Sequence, residues 1–274
     1  MEAMHTGKDS ETLFVGWDVG GWNCDNNANS RDALVILDRG RNVLGRPWRG
    51  NLRAAINEAD STQAWVRALL ECCGVPPTND LPPVVLAIDT PLGFSQAFQQ
   101  LVTGGAAAGA IHQSATNPYL FRYTEQFLFR HGLRPLSPVK DMIGSQATKG
   151  MHVLARFAPA TKTAGVWHGG SALTAFEAYP SACKPSPLVH KLLEDYRGAP
   201  VQDTRDPLHA WDMAGFEFGI DHEDKRDALL CALVAWLFHC EPDTLSHPDV
   251  HAPVDEGWIF APRDALTPPE GDNT

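Results

Sequence analysis

Two runs without a polar position stand out along the chain. Leu13-Phe14-Val15-Gly16-Trp17 ends at Asp18, and Val84-Val85-Leu86-Ala87-Ile88 ends at Asp89. Runs of this length and type predict strands, and the second, lacking any alternation, predicts a central strand covered on both faces. Between them the Asn-rich stretch 20–32 predicts a loop, Ala33–Leu37 a second strand, 38–42 a turn and Val43–Trp48 a third strand, making an antiparallel meander. Ser61 is placed to cap a helix over Thr62–Cys73, which Gly74 and Pro76-Pro77 stop.

From Pro91 to about Pro159 the pattern turns helical and irregular, with an amphipathic helix over Tyr119–Arg130. Leu173–Tyr179 predicts a return to strand, Leu188–Tyr196 a short helix, 201–219 a loop, and Glu223–His239 a largely apolar helix. The apolar segment Trp258-Ile259-Phe260 is expected to pack back on the body. Three strands, helix, strand, helical region, strand and helix is the order of a ribonuclease H-like α/β fold. Such a fold has a mixed five-stranded central sheet flanked by helices, here with a helical insertion at about 94–160 after the fourth strand. The expected layout is a flexible N-terminus over 1–12, one domain over 13–264 and a frayed tail over 265–274.

Composition narrows the function classes. A net charge of -11 argues against a broad basic surface for nucleic acid, without excluding a locally basic groove. The cysteines at 24, 72, 73, 183, 231 and 240 show no C-x-x-C pair, as expected of a reduced protein, and no apolar stretch approaches the roughly 20 residues that span a bilayer. The expectation is a cytoplasmic protein without membrane contact. His247 and His251 have Pro248 between them, which breaks a zinc-binding helix, and Ser95, Ser145 and Ser171 lack a G-x-S-x-G setting.

The remaining chemistry is acidic. Asp18 and Asp89 end strands, Glu177 lies in the later strand and Asp227 sits near the start of the last helix, where Cys231 and Val234 set it on an inward stripe. Carboxylates brought together at one sheet edge repel unless cations neutralise them, so the set points to a divalent metal site. Each acid also has an ordinary explanation. Asp18 and Asp89 can cap turns, Glu177 can pair with an arginine, and Asp227 suits a helix N-terminus. Trp22, Trp48, Trp65 and Trp211 can stack bases or fill the core.

The segments Val15-Gly16-Trp17-Asp18-Val19-Gly20-Gly21-Trp22, Ala87-Ile88-Asp89-Thr90-Pro91-Leu92-Gly93, Arg122-Tyr123-Thr124-Glu125, Phe176-Glu177-Ala178-Tyr179-Pro180, Arg226-Asp227-Ala228-Leu229-Leu230-Cys231-Ala232 and Glu256-Gly257-Trp258-Ile259 carry a resemblance. They resemble a family grouped as a domain of unknown function, number 429, described as predicted ribonuclease H-like nucleases. The resemblance implies phosphodiester hydrolysis at a two-metal carboxylate site holding Mg²⁺ or Mn²⁺. Asp18 would bridge the ions, Asp89 and Asp227 would complete their coordination, and Glu177 would be a fourth ligand or orient the water. Arg122, Lys140 and Lys149 would meet phosphates of a nucleic acid or a phosphorylated small molecule. Two other readings stand beside it. One is a phosphotransferase or ATPase of the actin and sugar-kinase type, whose fold also opens on an Asp-x-Gly strand; the other is a non-catalytic binding module.

Overall fold

A computed structural model describes residues 12–76, 78, 80–198 and 215–268. Its strands are β1 (Leu13–Asp18), β2 (Asp32–Leu37), β3 (Trp48–Gly50), β4 (Val84–Asp89), β5 (Ala160–Thr163), β6 (Val166–Gly169) and β7 (Leu173–Glu177). Its helices are α1 (Arg53–Glu58), α2 (Thr62–Cys72), α3 (Gln96–Gly104), α4 (Tyr123–Arg130), α5 (Gly144–Phe157), α6 (Pro180–Cys183), α7 (Pro187–Leu193) and α8 (Glu223–Cys240). The strands form one mixed sheet in the order β3-β2-β1-β4-β7-β6-β5. β1, β4 and β7 run parallel to one another, while β2 opposes β1 and β6 opposes β7.

The sheet therefore has seven strands among the described residues, not the five expected. The difference is the β5–β6 hairpin, whose sequences Ala-Thr-Lys-Thr and Val-Trp-His-Gly carry no clear two-residue alternation. The third strand also lies later than expected. Pro47 has no N–H to give a ladder and Gly45 takes a left-handed φ of 66°, so Val43 makes only an isolated bridge to Leu37 and β3 begins at Trp48. The expected loop over 201–219 falls mostly outside the described residues, as do 1–11 and 269–274. Leu266 and Thr267 of the expected frayed tail are tied down, the latter by its N–H donating to the His131 carbonyl.

Both faces of the sheet are covered, as the unalternating runs require. Phe14, Val35, Val85, Ala87 and Phe176 face α8, whereas Val15, Trp17, Leu34, Ile36, Leu86 and Ile88 face α2 and α5. Trp65 of α2 is wholly buried on the second side, stacked on Phe157 at 5.3 Å between centroids, so it is core and not a base platform. Trp22 and Trp48 are half-buried, and Trp211 lies outside the described residues. All six cysteines are free, and among the described residues no helix is long and apolar enough to cross a membrane.

Helix α8 crosses β1 at Gly16. A Cβ built there would lie 1.9 Å from the Ala228 carbonyl oxygen and 2.3 Å from the Ala232 nitrogen. Glycine lets the helix backbone sit directly on the strand, one residue past Asp227 and two before Asp18. Gly16→Ala is expected to cost about 1–3 kcal/mol by overpacking, read in urea unfolding; an unchanged midpoint would contradict this close crossing.

Candidate active site

Strand alternation decides where the acids point. Asp18 and Asp89 share the parity of Phe14 and Val85, so both project on the α8 side of the sheet, and the parallel register pairs them as immediate neighbours. Glu177 ends β7 with the opposite parity to Phe176. A cleft of about 180 Å³ opens at this edge, lined by Asp18, Val19, Asp89, Thr90, Glu177 and Tyr179, with Pro135, Ile143 and Gln146 from the insertion.

The four acids are not equivalent. Glu177 is spoken for: Arg122 Nη1 donates to its Oε2 and Nη2 to its Oε1, each at 2.7 Å, and the Leu92 N–H donates to Oε2 at 2.8 Å. Asp227 accepts on Oδ1 from Nε and Nη2 of its neighbour Arg226 at 2.9 and 2.8 Å. Among the described residues, nothing donates to the carboxylates of Asp18 or Asp89. Burial pushes the Asp18 carboxyl well above the usual aspartate range, and the charges of Asp89, Asp227, Asp224 and Asp32 push it further. Asp89 is raised likewise, by burial first and then by Asp227 and Glu177. Burial also raises Asp227, outweighing Arg226.

Two of the three basic residues expected at phosphates lie inside the protein. Arg122 is 1% exposed, and besides Glu177 it holds Glu125, with Nε to Oε1 at 2.8 Å and Nη2 to Oε1 at 2.5 Å. Its guanidinium sets the cleft wall and is not presented to a ligand. Lys149 is fully buried, donating to Asp32 Oδ2 at 2.5 Å and to the Gly20 carbonyl at 3.2 Å. Asp32 also accepts from Trp17 Nε1 and from the N–H groups of Gly20 and Leu52, so this pair fastens α5 to the loop that follows β1. Only Lys140 keeps an exposed side chain, 3.5 Å from Asp141. No Lys or Arg lines the cleft among the described residues.

Sequence reasoning did not single out Asp32, Glu125 or Glu256. Glu256 is 6% exposed; its Oε1 accepts from the Gln96 N–H and its Oε2 from the Tyr123 N–H, joining the starts of α3 and α4. Arg122–Glu125 has the i, i+3 spacing of a helix-entry pair, a signal available in the sequence. The partners of Asp32 and Glu177 are far along the chain and gave none.

The donor set suits a hard cation. Asp18 and Asp89 are two adjacent, half-buried carboxylates lining a cleft, with no protein partner among the described residues, and Mg²⁺ is commonly held by one or two carboxylates with water completing the sphere. No group of three or more His, Cys, Asp and Glu residues forms a ready-made cage among the described residues. No protein-family model matches this chain, and neither the curated proteins nor the solved structures give a match.

Proposed function

We propose that this protein is a metal-dependent phosphodiesterase of the ribonuclease H-like type, related to the family grouped as domain of unknown function, number 429. The observation that carries the reading is the pair Asp18 and Asp89. Two half-buried carboxylates stand side by side with no counterion among the described residues, which is unfavourable in itself and favourable to cation capture. The strand order β3-β2-β1-β4-β7, with β2 and β3 antiparallel and β4 and β7 parallel to β1, supports the fold assignment, β6 and β5 being additions at the far edge. Asp18 and Asp89 would hold Mg²⁺ or Mn²⁺, with Asp227 adding negative potential from α8. Bound there, the ion would polarise a phosphoryl oxygen and acidify a water. Arg122, by locking Glu177, keeps the wall of the cleft in place.

The size of the cleft and its lack of cationic side chains favour a strand end or a small phosphorylated molecule over a duplex lying across the surface. The test is Mn²⁺-dependent cleavage of labelled single-stranded, duplex, hybrid and branched nucleic acids and of a small phosphodiester. Cleavage that disappears in both Asp18→Asn and Asp89→Asn is expected. Cleavage retained in both variants, or none on any substrate, would overturn the reading.

A further inference from the structure

With Arg122 and Lys149 committed to internal partners, the cleft presents no positive side chain to a ligand among the described residues. Beside its acids, most of what it presents is apolar. Val19, Pro91 and Ile259 line it around the strand ends, and Pro135, Leu136 and Ile143 line it from the insertion. Two of these keep contact with solvent: Leu136 is 49% exposed and Ile143 is half-buried. Lys140, the cation that lies between them in sequence, is not part of the lining. Its ammonium stands 3.5 Å from Asp141 and 5.7 Å from the centre of the Phe121 ring.

A second observation bears on the same residues: the loop that carries them is braced. The Tyr179 hydroxyl donates to the Arg134 carbonyl at 3.0 Å, and the Ser137 hydroxyl donates to the Leu120 carbonyl. The Ser137 N–H donates to Asp141 Oδ2 at 2.8 Å, while Ser137 Oγ accepts from the N–H groups of Val139 and Lys140. Met142 then takes a left-handed φ of 54°, unfavourable for a residue with a side chain, and the next residue, Ile143, reaches the cleft. A single exposed leucine needs no explanation. Two apolar side chains held by a braced and strained loop against an acidic cleft form a contact surface of the kind that ligand sites use.

We propose that Leu136 and Ile143 are the specificity-determining wall of this cleft, holding a flat apolar group, an aryl ring or a nucleobase, carried by an ester with a single phosphate. The inference rests on the phosphodiesterase reading, since Asp18 and Asp89 with their ion would take the phosphate of the same molecule. Charge accounts for the single phosphate. A divalent ion offsets Asp18 and Asp89, Arg122 is already shared by Glu125 and Glu177, and Arg226 holds Asp227. No further cation lines the cleft among the described residues to meet a second phosphate, so apolar contact is the main remaining source of affinity.

The experiment is methyl NMR on the full chain, titrated with phenylphosphonate and with methylphosphonate, each with and without Mg²⁺. Neither probe has an ester to cleave, so binding is read apart from turnover. Phenylphosphonate should bind roughly tenfold more tightly, the scale for hiding about 60 Å² of ring from water, and should shift the methyl signals of Leu136 and Ile143. Leu136→Ser and Ile143→Ser should each cut that preference to about threefold or less. Both variants should fold, because Leu136 is half in water and Ile143 is a helix N-cap without a capping bond, a place that serine suits. Equal binding of the two probes, methyl signals that stay still, a preference unchanged in both variants, or no binding of either probe would each overturn the wall. Thymidine 5′-monophosphate against 2-deoxyribose 5-phosphate then separates the two sources. Tighter binding of the first assigns a nucleobase, and equal binding beside a kept preference for phenylphosphonate assigns a small aryl ester. If the ring preference and the methyl shifts are the same with and without Mg²⁺, the wall stands and the metal reading falls. If metal-dependent cleavage is found while the two phosphonates bind alike, the reading stands and the wall falls.

Discussion

Arg122→Met unfolds the protein at a denaturant concentration well below that of the parent, with an expected loss of about 3–5 kcal/mol. The guanidinium is wholly enclosed and answers two carboxylates, Glu125 through Nε and Nη2 and Glu177 through a two-pronged contact, while Nη1 also reaches the Glu256 carbonyl at 3.0 Å. Methionine fills similar space and tolerates the apolar surroundings, so the loss is not one of packing. It comes from leaving two carboxylates in the interior with no cation. Glu177 already shows the imbalance, since burial raises its carboxyl above the usual range despite Arg122. Adding Glu125→Gln and Glu177→Gln to Arg122→Met should return a large part of the loss, because neutral amides no longer need the charge. Urea unfolding of the single and triple variants gives the comparison. A single-variant loss below about 1 kcal/mol would mean that water or another cation replaces Arg122.

What could be read in advance divides along one physical line. Strands with unbroken apolar runs, and the acids that end them, were legible because their signal is local: Asp18 and Asp89 follow their runs directly, and parallel pairing then aligns their ends. Helix α8 was legible from its apolar length, and Gly16 fits beneath it for a reason only the packing reveals. The β5–β6 hairpin was not, since its strands have only four residues each and carry no clear alternation, although Gly165 with φ of 75° marks its turn. Glu177 was assigned to the cluster from its strand alone. It lines the cleft with Asp18 and Asp89, but its commitment to Arg122 has no local sign in the strand. Arg122 and Lys149 read as phosphate ligands because a lone basic residue gives no local sign of being buried, and their partners Glu177 and Asp32 are 55 and 117 positions away.

Asp18→Asn separates the cost of the acidic pair from its use. At neutral pH the variant should be more stable than the parent by about 1 kcal/mol, roughly 2–4 °C in Tm for a chain of this size, while metal-dependent cleavage falls by about 10²–10³-fold or more. The gain follows from the environment: Asp18 is pressed by burial and by Asp89, Asp227, Asp224 and Asp32, and among the described residues no donor answers it. The pH dependence carries a definite sign. Both Asp18 and Asp89 have folded-state values raised above the unfolded one, so the folded chain holds more protons in the interval between them. Their contribution to stability is full below the ordinary aspartate value and is lost as pH rises through the raised folded values. The advantage of Asp18→Asn over the parent should therefore be small in acid and grow across that interval toward neutrality. Asp25, Asp221 and Asp249, whose carboxyls are lowered, shift stability the opposite way, but they are common to both proteins and cancel in the difference. Mn²⁺ supplies the independent check. If the pair captures the ion, Mn²⁺ should raise the parent's Tm and move the variant's far less, so that saturating metal narrows or reverses the gap between them. An advantage independent of pH and of Mn²⁺ would mean that Asp18 is solvated and unstrained, and the metal site would lose its physical basis.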